Sequence, residues 1–159
     1  MMQVGVNRSS GSALGALDRS NFMSSKQPKR NPRPGVDEYG RIPLHHAALD
    51  GDFDALIQLL DSGSIVDAQD DNGWTALHFA AQGGHFKMVE ELLKRGANLK
   101  LVNCHGNGPL WVGLMSSRGD FTIVKMLLAA GADPDCKNAH GRSPRDIATT
   151  MGVREAIAL

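Results

Sequence analysis

Beyond residue 36 the apolar positions repeat in a fixed order. Phe53, Leu56, Leu59 and Leu60 stand at i, i+3, i+6 and i+7, the spacing of one buried helix face. Phe86, Val89, Leu92 and Leu93 repeat the pattern, and so do Phe121, Val124, Leu127 and Leu128. Ahead of each set lies a shorter element opened by a related tetrapeptide. These read Ile42-Pro43-Leu44-His45, Thr75-Ala76-Leu77-His78 and Gly108-Pro109-Leu110-Trp111, with Ser143-Pro144-Arg145-Asp146 as a fourth. Thr75 or Ser143 suits a helix N-cap, and Pro43, Pro109 or Pro144 takes the first helical position, where no backbone donor is missed. The pattern therefore predicts pairs of short helices.

Glycines punctuate the same period. Gly40, Gly73, Gly106 and Gly141 recur at spacings of 33, 33 and 35, each two residues before a tetrapeptide. Gly51, Gly84, Gly119 and Gly152 end the first helix of each pair, and Asp52 and Asp120 follow as caps for the second. Gly63, Gly96 and Gly131 close the second helix as left-handed C-terminal caps. The polar stretches after them, Asp67 to Asn72, Lys100 to His105 and Asp135 to His140, turn at the first glycine series.

Residues 37–159 resemble the ankyrin repeat family. The second repeat carries Gly-x-Thr-x-Leu-His, Ala80-Ala81, Gly84-His85, Met88-Val89, Leu92-Leu93 and Gly96-Ala97-Asn98 in register. The resemblance implies an all-α repeat solenoid in which each unit is two antiparallel helices plus a hairpin-like finger. Repeats are expected at about 38–70, 71–103, 104–138 and 139–159, three full and one truncated. About three are needed for a stable stack, because one repeat cannot bury its own apolar face.

Several positions depart from that pattern. Ile42 replaces the threonine cap in the first repeat, which is expected to serve as the N-terminal cap. Trp111 occupies the histidine slot of the third, Gly113-Leu114 replaces the alanine pair, and Met115-Ser116-Ser117-Arg118 stands where the second has only Gln82-Gly83. The fourth places Asp146 in the histidine slot and ends before the equivalents of Leu92 and Leu93. A frayed end, or an apolar patch over Leu127 and Leu128, is the expectation there.

Charge divides the 159-residue chain. Formal net charge is zero, yet residues 1–35 hold six bases and one acid, for +5, leaving −5 on the remainder. The basic segment is rich in Ser, Asn, Gly and Pro and ends in Lys26-Gln27-Pro28-Lys29-Arg30-Asn31-Pro32-Arg33-Pro34. It reads as a solvated, disordered tail over 1–36, with a weak helix at Ala13–Phe22. No apolar run approaches the roughly 18 residues of a membrane span, and no secretory h-region opens the chain. Cys104 and Cys136 lie too far apart for a Cys-x-x-Cys motif, so a reduced, cytoplasmic setting is expected.

Catalytic signals are missing. There is no Gly-x-Ser-x-Gly, phosphate-binding loop or dinucleotide fingerprint, and neither enzyme activity nor a cofactor is expected. The family resemblance gives His45 and His78 a structural role, tying the finger to the helix start. His46 should face the groove or a neighbouring helix. His105 and His140 fall on successive fingers, about 8–10 Å apart, which is too wide for a shared metal ligated at about 2 Å. Function is therefore expected on the surface. The finger positions Tyr39, Arg41, Asn72, Trp74, His105, Asn107, His140 and Arg142 should form one stripe, extended by Asp50, Gln82 and Arg118 at the inner-helix ends. Trp74 stands out as a large apolar ring where a small or polar residue would serve the fold equally well, and Trp, Tyr and Arg are common interface anchors.

The reading is a monomeric, non-catalytic module that binds a protein partner. Its resemblance to small stand-alone bacterial ankyrin proteins suggests a neutraliser or regulator of a toxin or enzyme. The rival reading is an adaptor whose basic tail contacts nucleic acid or an acidic partner; only residues 26–33 could meet phosphate, and they lack interleaved aromatics.

Overall fold

The computed structural model describes residues 33–158. The expected tail and its weak helix lie almost wholly outside the described residues. Seven α-helices follow in order: α1 (Pro43–Asp50), α2 (Phe53–Asp61), α3 (Ala76–Gly83), α4 (Phe86–Lys94), α5 (Pro109–Ser116), α6 (Thr122–Ala129) and α7 (Pro144–Met151). A short 3₁₀ turn at Arg154–Ala156 follows α7, and no strand occurs among the described residues. The chain is an all-α repeat solenoid. Helices α1, α3, α5 and α7 pack side by side as an inner layer, while α2, α4 and α6 form the outer layer behind them.

Local chemistry starts the inner helices α1, α3 and α7. Thr75 Oγ1 accepts from the His78 amide, and the Thr75 amide donates to His78 Nδ1 at 3.2 Å. Ser143 and Asp146 make the same reciprocal box, so the aspartate in the histidine slot keeps the capping half of that role. In α1, Ile42 offers only its amide, which donates to His45 Nδ1 at 3.0 Å. The Asp52 carboxylate caps α2 through the Ala55 amide at 2.9 Å. Asp120 accepts from the Thr122 amide and hydroxyl, and Phe121 takes the cap position itself.

One continuous core runs through the stack. Leu44, Leu77 and Leu110 are buried at the same place in successive inner helices, and Leu56, Val89 and Val124 in the outer ones. Each such side chain contributes about 1.5–3 kcal/mol by leaving water. The expected face of α4 needs one correction. Phe86 is 51% exposed, and α4 is buried through Met88, Val89 and Leu92, with Leu93 half-buried. Phe86 is the first residue of α4 and faces an open cleft.

The last unit also departs from expectation. Leu127 and Leu128 are buried, and so are Ala156 and Ile157, which occupy the places of Met88 and Val89. No apolar patch opens over the leucine pair. Three polar residues set the fourth unit apart: Arg145, Asp146 and Thr149 are exposed where earlier units bury leucine, hold His or Trp, and bury alanine or leucine. Arg145 is clamped by both carboxylate oxygens of Asp135, at 2.6 and 3.1 Å.

A repeated side-chain bond shapes the fingers. Asp37, Asp70, Asn103 and Asn138 each stand three residues before the finger glycine, and each Oδ1 accepts two amides beyond it, such as Asn72 and Trp74 at 2.9 Å for Asp70. Adjacent fingers then approach until backbone meets backbone. A Cβ on Gly106 would lie 2.6 Å from the Ala139 nitrogen, and one on Gly73 3.0 Å from the Val102 carbonyl oxygen. Both glycines also hold φ near +75°, where other residues are strained.

Candidate partner-binding surface

The fingers are joined by single backbone bonds. The Asp71 amide donates to the Tyr39 carbonyl at 2.9 Å, Cys104 to Asn72 at 2.8 Å, and Ala139 to His105 at 3.0 Å. Tyr39, Asn72 and His105 thus occupy matching places, with His140 on the fourth finger. Asn107 lies half-buried behind this row, its Oδ1 accepting from Asn138 Nδ2 at 2.9 Å. Arg142 is exposed and reaches Thr150 Oγ1 at 3.2 Å.

The first two fingers gather something richer. Arg41 is held between rings, its guanidinium carbon 4.9 Å from the Tyr39 centroid and 5.1 Å from that of Phe79. Trp74 stacks on Phe79 at 5.1 Å and tilts against His78 at 5.6 Å, while His45 meets Phe79 edge-on at 5.9 Å. Behind Arg41 lies the fully buried Asp70 carboxylate, Oδ2 standing 3.5 Å from Nε. Neither atom makes a hydrogen bond, so the pair is coulombic only. His46 Nε2 lies 3.1 Å from Asp37 Oδ2.

Trp74 is therefore not the free ring that its position in the sequence suggests. It is half-buried and shields Phe79, so a small residue would not serve the fold equally well. Phe79, which the sequence reading passed over, is the hub. The available signal was an aromatic ring at the inner-helix position that holds His46, Val112 and Ile147 in the other units.

The two pattern histidines are neutral spacers. Burial pushes the His78 imidazole down to about 4, against the upward pull of its bond to the Asn107 carbonyl. Its Nδ1 accepts from the Thr75 amide, which requires the proton on Nε2, facing the Asn107 carbonyl oxygen at 3.1 Å. His45 is held below its usual range by burial too, and its Nε2 meets the Ala68 carbonyl oxygen at 2.8 Å. Each ring ties its helix start to the next finger. In the third unit Trp111 cannot copy that geometry, and it lines a cleft of about 710 Å³ with Leu99, Cys136 and Pro144.

The inner-helix ends carry the remaining candidates. Asp50, Gln82 and Arg118 are exposed. Gln82 and Arg118 line a second cleft, of about 640 Å³, beside Phe86 and Ile123; Asp50 does not line it. Arg118 holds φ 47, the only positive φ outside glycine among the described residues, which is where the longer connection turns. Among those residues no three His, Cys, Asp or Glu side chains converge on a metal-sized site, and no helix is long and apolar enough to cross a membrane.

A family model for ankyrin repeats, in three copies, matches residues 22–103 and again 44–138. The chain belongs to the ankyrin repeat family. Similar proteins include the human SH3 and multiple ankyrin repeat domains protein 2, 38% identical over 77 residues, which are 48% of this chain and 4% of that protein. Ankyrin repeat-containing protein P1E11.10 of Schizosaccharomyces pombe is 38% identical over 66 residues, 42% of this chain and 32% of the relative. The NAD-capped RNA hydrolase NUDT12 of Macaca fascicularis is 40% identical over 76 residues, covering 47% of this chain but 16% of the hydrolase. The matches thus span a third or less of these relatives. Ankyrin repeats make the chain a protein–protein interaction module, built on a fold that is generally non-catalytic. These relatives are eukaryotic and lend no support to a bacterial kinship.

Proposed function

We propose that this ankyrin module binds a protein partner chiefly over its first two fingers. The carrying observation is the guanidinium of Arg41 set between Tyr39 and Phe79, with Trp74 stacked alongside. Aromatic rings and an arginine already fixed by packing lose little freedom on binding, which is the property of interface anchors. Asn72, His105, His140 and Arg142 extend the contact along the finger row, with Asp50, Gln82 and Arg118 at its margin. Neutralising a toxin or enzyme is the finer role that the first resemblance suggested, and no feature of this surface selects such a partner.

Quantitative affinity capture tests the assignment. Trp74→Ala and Arg41→Ala, confirmed as folded by thermal melting, should each weaken a retained partner tenfold or more. Lys87→Ala, on the exposed side of α4, should leave it unchanged. Equal retention by all three variants would remove the first two fingers from the interface. The tail-adaptor reading makes the opposite demand, loss of binding on charge reversal of Lys26, Lys29 and Arg30. Arg33, the last base of that segment, is already engaged with Asp71 on the second finger.

A further inference from the structure

In two places the residue that shapes a finger turn reaches back to the finger before it. Asn138 donates from Nδ2 to Asn107 Oδ1 at 2.9 Å, one amide meeting another. Asp70 stands in the same relation to Arg41, its Oδ2 3.5 Å from Nε, one charge meeting the other. The turn itself does not require a carboxylate at position 70. Asn103 and Asn138 each accept two amides through Oδ1, as Asp70 does. Asparagine in place of Asp70 would avoid burying a charge, for this side chain is fully buried and its Oδ2 has no hydrogen bond. What the carboxylate adds is its hold on Arg41.

Arg41 has donors to spare. A guanidinium is all donor and no acceptor. Here Nε is buried without a bond, and no acceptor among the described residues takes one from either Nη. Tyr39 and Phe79 stand against the guanidinium at 4.9 and 5.1 Å, and Asp70 occupies the Nε side. The Nη edge remains, on a side chain that is 17% exposed. The surface carboxylates of the first two fingers are already engaged: Asp37 with His46, Glu38 with the Tyr39 hydroxyl, and Asp71 with Arg33. An acceptor for Arg41 must come from outside the repeat domain.

We propose that Asp70 fixes Arg41 as the receptor for an Asp or Glu carboxylate of the protein partner. This builds on the partner surface assigned above and adds the chemistry that surface reads. Rings against the guanidinium leave an in-plane approach, along which two carboxylate oxygens can meet two parallel N–H groups. Because Asp70 offsets the charge of Arg41, selectivity comes from the direction of those donors as much as from attraction. Asp70 is a positioning residue, touching Arg41 and not the partner.

Random peptides selected on the full chain test this. Those that bind should share an Asp or Glu, and replacing it with Asn or Gln should weaken binding tenfold or more in calorimetric titration. Asp70→Asn, which keeps the turn bonds, should weaken the same peptides fivefold or more. Arg41→Gln should weaken them too, and adding Asp70→Asn to it should cost nothing further. Equal losses from Asp70→Asn in both backgrounds would make its role merely structural and overturn the positioning. Peptides that depend on Trp74 but need no carboxylate would overturn the proposal and leave the partner surface standing. Peptides indifferent to both Trp74→Ala and Arg41→Ala would overturn both.

Discussion

The second and third units share a plan but reach stability by different routes. The second is held by its own polar groups and small residues. Its Thr75–His78 box caps α3, His78 bridges to the next finger, and Ala80-Ala81 let neighbouring helices approach. The third lacks the first two devices. Gly108 offers no side-chain cap, Trp111 makes no matching bridge, and Gly113 leaves a helical position without a side chain. It persists because neighbours on both sides bury Leu110, Leu114 and Leu127. In a stack, a locally deficient unit can be held by its interfaces, as nearest-neighbour stability requires.

Substitutions can break or sharpen that contrast. The largest effect is expected at His78. Changing it to Ala strands the Thr75 amide and the Asn107 carbonyl in a buried site and should cost about 2–4 kcal/mol in urea unfolding. The same ring sets an acid sensitivity. Unfolded, it takes up a proton near 6.5; folded, it resists until about 4. Stability is therefore complete above pH 6.5 and declines as pH falls toward 4, by about 3 kcal/mol from this group. Unfolding free energies measured across that window should slope in the native chain and flatten in His78→Asn, apart from the parallel contribution of His45.

The third unit should respond in the opposite direction. A methyl group at Gly113 would lie 3.4 Å from Ile123 Cγ2, 3.6 Å from Leu127 Cδ1 and 3.7 Å from Ala81 Cβ, which is ordinary contact or slightly tighter. Gly113→Ala should stabilise by about 0.5–1 kcal/mol, seen as a raised melting temperature. Arg118→Gly relieves a left-handed arginine at a cost of about 1 kcal/mol, but it also frees the unfolded chain. A net gain of about 0.5 kcal/mol or less is expected. If either change destabilises the protein, the third unit is better fitted locally than this contrast allows.

Much of the fold was legible before any coordinates. The cap at Thr75, the glycine period and the leucine pairs are local or periodic signals, and they place helices and fingers where the structure has them. The surface was less legible. Tyr39, Arg41 and Trp74 could be named from their places beside the finger glycines, but Phe79, which organises them, lies inside a helix and reads as core. Phe86 was misplaced because the i, i+3 rule describes a face, while burial at a helix start depends on what stands opposite. The end of the stack was misread for a similar reason: Ala156 and Ile157 close the core from a single 3₁₀ turn, which no periodicity announces.

By itself the sequence determined the repeat length, the order of helices and the family. Those depend on backbone capping, turn residues and hydrophobic period, each encoded within a few neighbouring residues. Only the tertiary structure decided that Arg41 lies between two rings, that Trp74 shields rather than projects, and that Ala156 and Ile157 cover the core of the fourth unit. Those outcomes depend on contacts between units some thirty residues apart, where packing distance and desolvation, not local preference, choose the arrangement.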